Sequence, residues 1–408
     1  MTPPRLARSR PAGGVRTFST SATDPYARGR ELGAGCATEI RACLAAYRQL
    51  WTAFGVGDDE MKAVGAAVLD PIATFAPDLR AEIAGLAAGS GLAENEVGAL
   101  NARTELLALG DQRLMATGLL PGEGLSECSL AVRLDTPGTG GRSAGPLTAQ
   151  TWDWHTPLAD SWFCWTLQRA DGRRVSTLTE YGIVGKIGVS GPRIGAGIGA
   201  DREGTDRSGS AVSVHFNAMR HVADTGSGGV PVHVVARRIL DEASDVASAI
   251  AIAAEATVSA SAAVTVTGRP GSGAGGWTSC TIELRPGGPS LVRARDGWLA
   301  HTNHFVADDV GETEQVSTTV STTRERLDRV CAVVAGDQQP ADREAVASRL
   351  ATHDLGPRSV CVHGFPDAPI GQRSATLAVV VTEPADGRLH VHAGRPCKVS
   401  TDGWWTSP

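Results

Sequence analysis

No segment of this chain is long and apolar enough to cross a bilayer. A spanning helix needs about 20 apolar residues. The most apolar stretch, Ala247 to Val266, is interrupted by Glu255 and is rich in serine and threonine. It predicts a helix followed by a strand, and no membrane partner is expected. Positive charge is not in excess: 38 Lys and Arg stand against 44 Asp and Glu, for a net charge of −6. A nucleic-acid binder would need a basic patch, so no nucleic-acid partner is expected either. The eight cysteines form no CxxC pair, which argues against a zinc ribbon or a thioredoxin-type site. Most sit among apolar neighbours and read as reduced core residues, which points to a cytoplasmic protein. The first twenty residues carry Arg5, Arg8, Arg10 and Arg16 with no apolar block behind them. No secretory signal is expected there; residues 1–22 read as a flexible arm or a mis-called start.

What is present is ample core material. The 408 residues are 42% hydrophobic, too apolar for a disordered chain and long enough to bury a core. From Asp24 to Gly118 the pattern is helical. Leu32, Cys36, Ile40, Cys43, Tyr47, Trp51 and Phe54 recur at three- and four-residue steps along one helix face. A glycine-bearing loop, Gly122 to Ser126, ends that region. Strands are expected at Cys128–Leu134, Leu147–Trp154, Trp162–Arg169 and Val175–Tyr181. Their spacing predicts an antiparallel meander. Residues 191–210 read as an inserted surface loop. Helices are expected from Pro231 to Ala243 and on to Ala256. Strands follow at Ala260–Thr267, Cys280–Leu284 and Leu291–Arg295, then a helix-prone stretch from Val316 to His353. The last strands are Ala375–Thr382 and Leu389–His392. This order predicts a layered α+β fold.

Several residues carry chemical potential. Cys128 opens the first strand after the loop. Were the preceding bond cut, its thiol would lie a few atoms from its own α-amine, a self-contained nucleophile and base. The amine titrates near about 7.7–8.0, suited to neutral pH. The alternative is a half-buried strand cysteine. Asp153 lies between Trp152 and Trp154, which share one strand face while Asp153 takes the other. It either lines a functional surface or is a solvated strand aspartate. Asn303, in His301-Thr302-Asn303-His304, follows an apolar strand, where its amide is placed to meet an oxyanion. His301 and His304 find no third ligand of suggestive spacing, so no metal site is expected. Arg373 precedes a strand, as a carboxylate clamp or as a surface arginine.

Taken in order, several segments resemble the isopenicillin-N acyltransferase family of self-cleaving N-terminal-nucleophile enzymes. They are Arg28-Gly29-Arg30-Glu31-Leu32-Gly33, Asn101-Ala102-Arg103-Thr104-Glu105, Glu127-Cys128-Ser129 and Gln150-Thr151-Trp152-Asp153-Trp154. Thr179 to Gly188, Phe216-Asn217-Ala218, His301 to His304, Arg373 to Leu377 and Gly394-Arg395-Pro396 complete the set. The resemblance implies a four-layer αββα sandwich of the N-terminal-nucleophile hydrolase type, with a helical segment, residues 23–127, against a catalytic chain, 128–408. It implies self-cleavage of the Glu127–Cys128 bond, with the N-terminal piece remaining as a partner. The mature Cys128 would attack a small N-acyl compound or an acyl thioester, acyl-coenzyme A included. Asn303 would hold the oxyanion, while Asp153 and Arg373 would orient the amine and the polar end of the substrate. Arg103 and Glu105 match a family motif and read as structural. No cofactor is implied. Glu127 stands where the best-known member has glycine, Thr151 where that member has asparagine, and Val362 where arginine is usual. A non-catalytic small-molecule-binding protein on the same scaffold is the alternative.

Overall fold

The computed structural model describes residues 14–116, 128–136, 145–193, 211–270, 276–307, 321–335, 340, 342–364 and 366–408. In chain order its elements begin with a short strand β1 (Thr17–Ser19) and seven helices. These are α1 (Pro25–Gly35), α2 (Ala37–Ala53), α3 (Asp58–Ala67), α4 (Leu69–Phe75), α5 (Pro77–Ser90), α6 (Glu94–Asn101) and α7 (Arg103–Ala116). Strands β2 (Ser129–Thr136), β3 (Gly145–His155), β4 (Trp162–Gln168), β5 (Arg173–Glu180), β6 (Ile187–Arg193) and β7 (Val212–Ala218) follow. Next come α8 (Val232–Glu242), α9 (Val246–Ala254), β8 (Ala262–Gly268), β9 (Thr278–Leu284), β10 (Ser290–Arg293) and β11 (Trp298–His301). The described chain closes with α10 (Thr323–Ala335), α11 (Arg343–Arg349), β12 (Ser374–Glu383), β13 (Arg388–Ala393) and β14 (Trp404–Thr406).

The helical region starts where its capping chemistry says it should. Asp24 accepts the Ala27 N–H at 2.8 Å, and Pro25 occupies the first turn. The periodic residues of α2 (Ile40, Cys43, Tyr47 and Trp51) are all buried. Helices α1 and α5 cross at unusually short range because both present glycines. A Cβ on Gly29 would stand 2.0 Å from the Glu82 carbonyl oxygen, and one on Gly85 would stand 2.1 Å from that of Tyr26. Beside this contact Arg28 pairs with Glu82 at 2.6 Å, and Glu82 also meets Arg237 of α8 at 2.8 Å, all three buried. Each charge there depends on its partner, since removing one side of a buried pair costs about 3–5 kcal/mol.

The strands form two sheets. One has eight strands in the order β1-β4-β5-β6-β7-β8-β9-β10, the other six in the order β11-β2-β3-β12-β13-β14. Helices α8 and α9 contact the larger sheet, while α10 and α11 contact the smaller. Strand β12 explains why the smaller sheet is apolar on both faces. Ala378 and Val380 belong to the main core, and the alternating Val379 and Val381 belong to a second cluster with Val330, Val334 and Val346. The chain is a mixed α+β protein, compatible with an α+β sandwich. Among the described residues no helix is long and apolar enough to cross a membrane.

Three expectations need correction. The predicted meander is split: β2 pairs with β3 in the smaller sheet, but β4 pairs with β5 in the larger. The connection 156–161 is of hairpin length, yet it carries the chain from one sheet to the other. Spacing alone does not separate a hairpin from such a corner. The expected arm over residues 1–22 ends in β1, whose parallel pairing with β4 aligns Thr17 with Cys164 and Ser19 with Thr166. The expected loop at 191–210 begins late, because β6 continues to Arg193. Residues 194–210, the loop 122–126 and Glu127 lie outside the described residues.

Candidate active site

Cys128 stands directly before β2, a strand flanked by β11 and β3 in the smaller sheet. It is only 3% exposed. Its thiol lies 3.8 Å from the carbonyl oxygen of Asp153 on the neighbouring strand β3. Its own carbonyl oxygen accepts two hydrogen bonds, from Asn217 Nδ2 and from Arg326 Nη1, each at 3.1 Å. Arg326 Nη1 also donates to Ser129 Oγ at 2.9 Å, and the Ser129 N–H donates to Thr151 Oγ1 at 3.2 Å. The residue is therefore gripped from three elements: β7, α10 and β3. Burial, reinforced by the nearby Asp153 carboxylate, pushes the thiol up to about 11, with Lys186 and Arg326 acting in the opposite direction.

Asp153 is fully buried rather than solvated. Its Oδ1 accepts from Thr376 Oγ1 at 2.5 Å, on the adjacent strand β12. The flanking Trp152 and Trp154 both join the main core, as their shared strand face requires. Asn303 lies just after β11. Its Nδ2 donates to the Ala218 carbonyl at 2.9 Å, and its Oδ1 accepts from Arg326 Nη2 at 3.2 Å. Arg326 thus bridges Asn303 and the Cys128 carbonyl. Arg373 is half-buried, and its Nε donates to the carbonyl of Ala368 in the preceding turn. The structure brings Cys128, Asp153 and Asn303 into one connected cluster, and Arg373 sits one position before β12.

His301 and His304 are used by the protein itself. His301 Nε2 lies 2.9 Å from Glu283, and His304 Nδ1 lies 3.1 Å from Thr302 Oγ1. Arg103 and Glu105 lie in the core. Arg103 pairs with Glu180 at 3.0 Å and stacks 3.9 Å over the Trp154 ring. Glu105 accepts the Val232 N–H at 2.8 Å, and burial pushes its carboxyl up to about 7.

Three residues around Cys128 have no assignment in the sequence reading. Asn217 appeared there only as part of a motif. Arg326 is one arginine among several in a polar helix and carries no pattern of its own. Lys186 is fully buried, its ammonium 4.0 Å over the Trp152 ring and 3.5 Å from Glu180. Burial and Arg103 drive it down to about 7. A lysine buried among tryptophans leaves only a short Gly-Lys-Ile-Gly segment as its sequence signal.

Comparison with known proteins adds the family. The model of the acyl-coenzyme A:6-aminopenicillanic acid acyl-transferase family matches residues 141–398, well over half of the chain. The chain belongs to this acyl-transferase family. A curated relative, the 40 kDa form of acyl-coenzyme A:6-aminopenicillanic-acid-acyltransferase from Emericella nidulans, is 25% identical over 318 residues. That alignment covers 77% of this chain and 74% of the relative. The resemblance drawn from the ordered motifs is thereby borne out. Membership in the acyl-transferase family supports an enzyme of the acyl-transferring class. The family match begins after Cys128 and takes in Asp153, Asn303 and Arg373.

Proposed function

We propose that the chain is a self-processed cysteine N-terminal-nucleophile enzyme, an amidohydrolase or acyltransferase acting on a small N-acyl compound or acyl thioester. The reading includes a four-layer αββα sandwich of the N-terminal-nucleophile type, cut into a helical segment (residues 23–127) and a catalytic chain (residues 128–408). Helices against both sheets support that architecture. The observation that carries the proposal is the grip on Cys128 at the head of β2, with its carbonyl pinned by Asn217 and Arg326. A nucleophile must be held in place before chemistry, and fixed geometry is worth several kcal/mol of barrier.

In the first reaction the Cys128 sulfur attacks the Glu127 carbonyl carbon. A C–S bond forms, the C–N bond breaks, and the thiol proton goes to the departing Cys128 nitrogen. Water then cleaves the thioester, leaving a Glu127 carboxylate and a free Cys128 amine. In turnover that amine takes the thiol proton. The thiolate attacks the substrate carbonyl, and the ammonium returns the proton to the leaving amine or thiol. Water or an acceptor amine resolves the acyl-enzyme. Asn303 keeps one amide hydrogen on Ala218 and offers the second to the oxyanion. Asp153 orients the amine, and the Arg373 guanidinium receives an anionic substrate end. The reading places the protein in the cytoplasm, where its eight cysteines, none joined in a disulfide, would stay reduced.

Intact mass tests the proposal. The purified protein is expected as two associated pieces, 1–127 and 128–408, and the Cys128→Ala variant as one chain. The burial of Cys128 favours a second reading, a non-catalytic small-molecule-binding protein on this scaffold. An uncut wild-type chain that turns over no acyl thioester or N-acyl amino acid would establish that second reading.

A further inference from the structure

On the far side of β12 from the main core, the loop 351–364 and the turn after β13 bring four metal-ligating side chains together. His353, Cys361, His363 and Cys397 each offer one ligand atom, and all four atoms lie within 4.8 Å of one another. We propose that these residues form a closed tetrahedral site for a thiophilic divalent metal ion, zinc by preference.

The distances carry the argument. His353 Nε2 and His363 Nε2 are 2.9 Å apart, and His363 Nε2 lies 3.5 Å from Cys361 Sγ and 3.6 Å from Cys397 Sγ. Zinc binds thiolate at about 2.3 Å and imidazole at about 2.0–2.1 Å, so a regular tetrahedron has sulfur–nitrogen edges of about 3.6 Å and a nitrogen–nitrogen edge of about 3.3 Å. The two sulfur edges at His363 already match. The histidine pair needs to open by a few tenths of an ångström, and the remaining edges, all within 4.8 Å, need to draw in to the tetrahedron. The donor set is two sulfurs and two imidazoles without a carboxylate, which selects zinc over calcium or magnesium.

Binding turns both thiols into thiolates, and their protons pass to solvent. Two thiolates then balance the divalent charge, leaving the site neutral. Arg395 Nη1 now donates to His363 Nδ1 at 3.0 Å. Coordination through Nε2 puts the ring proton on Nδ1, so Arg395 must leave that contact. Four protein ligands fill the tetrahedron and leave no open position, which makes the ion structural rather than catalytic.

Its structural effect would reach the candidate active site. Val362, between two ligands, exchanges hydrogen bonds with Thr376: its N–H donates to Thr376 Oγ1 at 3.0 Å, and its carbonyl accepts the Thr376 N–H at 3.1 Å. Thr376 in turn donates to Asp153. The metal would fix the loop from which Asp153 takes its support. Sequence spacing concealed the site, because Cys397 is distant in the chain and no CxxC pair announces it.

Cobalt substitution tests the proposal on the full chain. Reduced, metal-stripped protein is expected to bind about one equivalent of Co²⁺ with thiolate charge-transfer bands and the intense visible bands of a tetrahedral site. Cys361→Ser and Cys397→Ser should each lose about half of the charge-transfer intensity and at least about tenfold in affinity. Cys397 is half-exposed and His353 exposed, so Cys397→Ser and His353→Asn test the site without disturbing the core. Cys128→Ala should retain the full spectrum, which separates this site from the proposed nucleophile. Charge-transfer bands of undiminished intensity in both serine variants, no tetrahedral bands in the folded reduced protein, or a Cys361–Cys397 disulfide in freshly isolated protein would each overturn the proposal.

Discussion

The side-chain amide of Asn217, on the eight-stranded sheet, donates to the main-chain carbonyl of Cys128, at the head of a strand in the six-stranded sheet, across 3.1 Å. This bond ties the two sheets together at the proposed nucleophile. Asn217→Ala leaves the carbonyl with Arg326 alone. It is expected to cost about 1–3 kcal/mol of stability, the usual cost of stranding a buried polar group. Processing at Cys128 should slow with it. Denaturant unfolding in the Cys128→Ala background, where the chain stays whole, reads the first effect. Intact mass over time in the Cys128-containing chain reads the second. Unchanged stability and processing would mean that the bond has no positioning role.

Cys128→Ala should abolish both cleavage and turnover, with activity falling by more than about 1000-fold. Cleavage at the same position in this variant would point to an external protease.

Asn303→Ala is expected to fold normally, because Thr323 Oγ1 still receives the residue 303 N–H at 2.9 Å. Turnover should drop by about 100- to 1000-fold, the range for losing one oxyanion donor. A kcat equal to wild type would exclude Asn303 from that role.

Glu105 gives a pH signature. Burial holds its carboxyl at about 7 in the folded chain, against 4.5 in the reference state. The folded chain therefore binds more protons than the unfolded one between those values, and stability falls as pH rises through the window. Glu105→Gln removes the titration. Relative to that variant, the wild type should lose on the order of 3 kcal/mol between pH 4.5 and pH 7 and little more above it. Parallel stability curves for the two proteins would show that Glu105 titrates normally.

Gly29→Ala should destabilise the helical region strongly. The added carbon would stand 2.0 Å from the Glu82 carbonyl oxygen, in contact with rigid backbone rather than a side chain that can turn aside. A loss of at least about 3 kcal/mol is expected, at or beyond the upper range for overpacking. An unfolding midpoint within error of the parent would contradict the close helix crossing.

Local pattern was readable where one element faces one environment. The steps from Ile40 to Trp51 predicted α2 and its buried face, but the single helix face read from Leu32 to Phe54 is broken at Cys36, which caps both α1 and α2. The helix-then-strand reading of 247–266 matches α9 and β8. The Trp152–Trp154 alternation gave both rings one strand face, and the structure packs that face into the core. Choices made at long range were not readable. Nothing in residues 156–161 says that the chain changes sheets there. The Arg28 to Gly33 motif became physical only with α5 in view, where Arg28 finds Glu82 and the glycines find backbone. Arg326 lacked any local signature because its partners, Cys128 and Asn303, are remote in sequence.

The three residues of β1 lie alongside β4, reinforced by the Thr20 N–H on the Thr166 carbonyl and the Cys164 N–H on that of Arg16. Were the chain severed ahead of Cys128, its two products would still be co-owners of one sheet, joined also by the Glu82–Arg237 ion pair. Reassembly would then be a bimolecular event. The melting temperature of the mature enzyme would climb with protein concentration, whereas that of the uncut alanine variant would not.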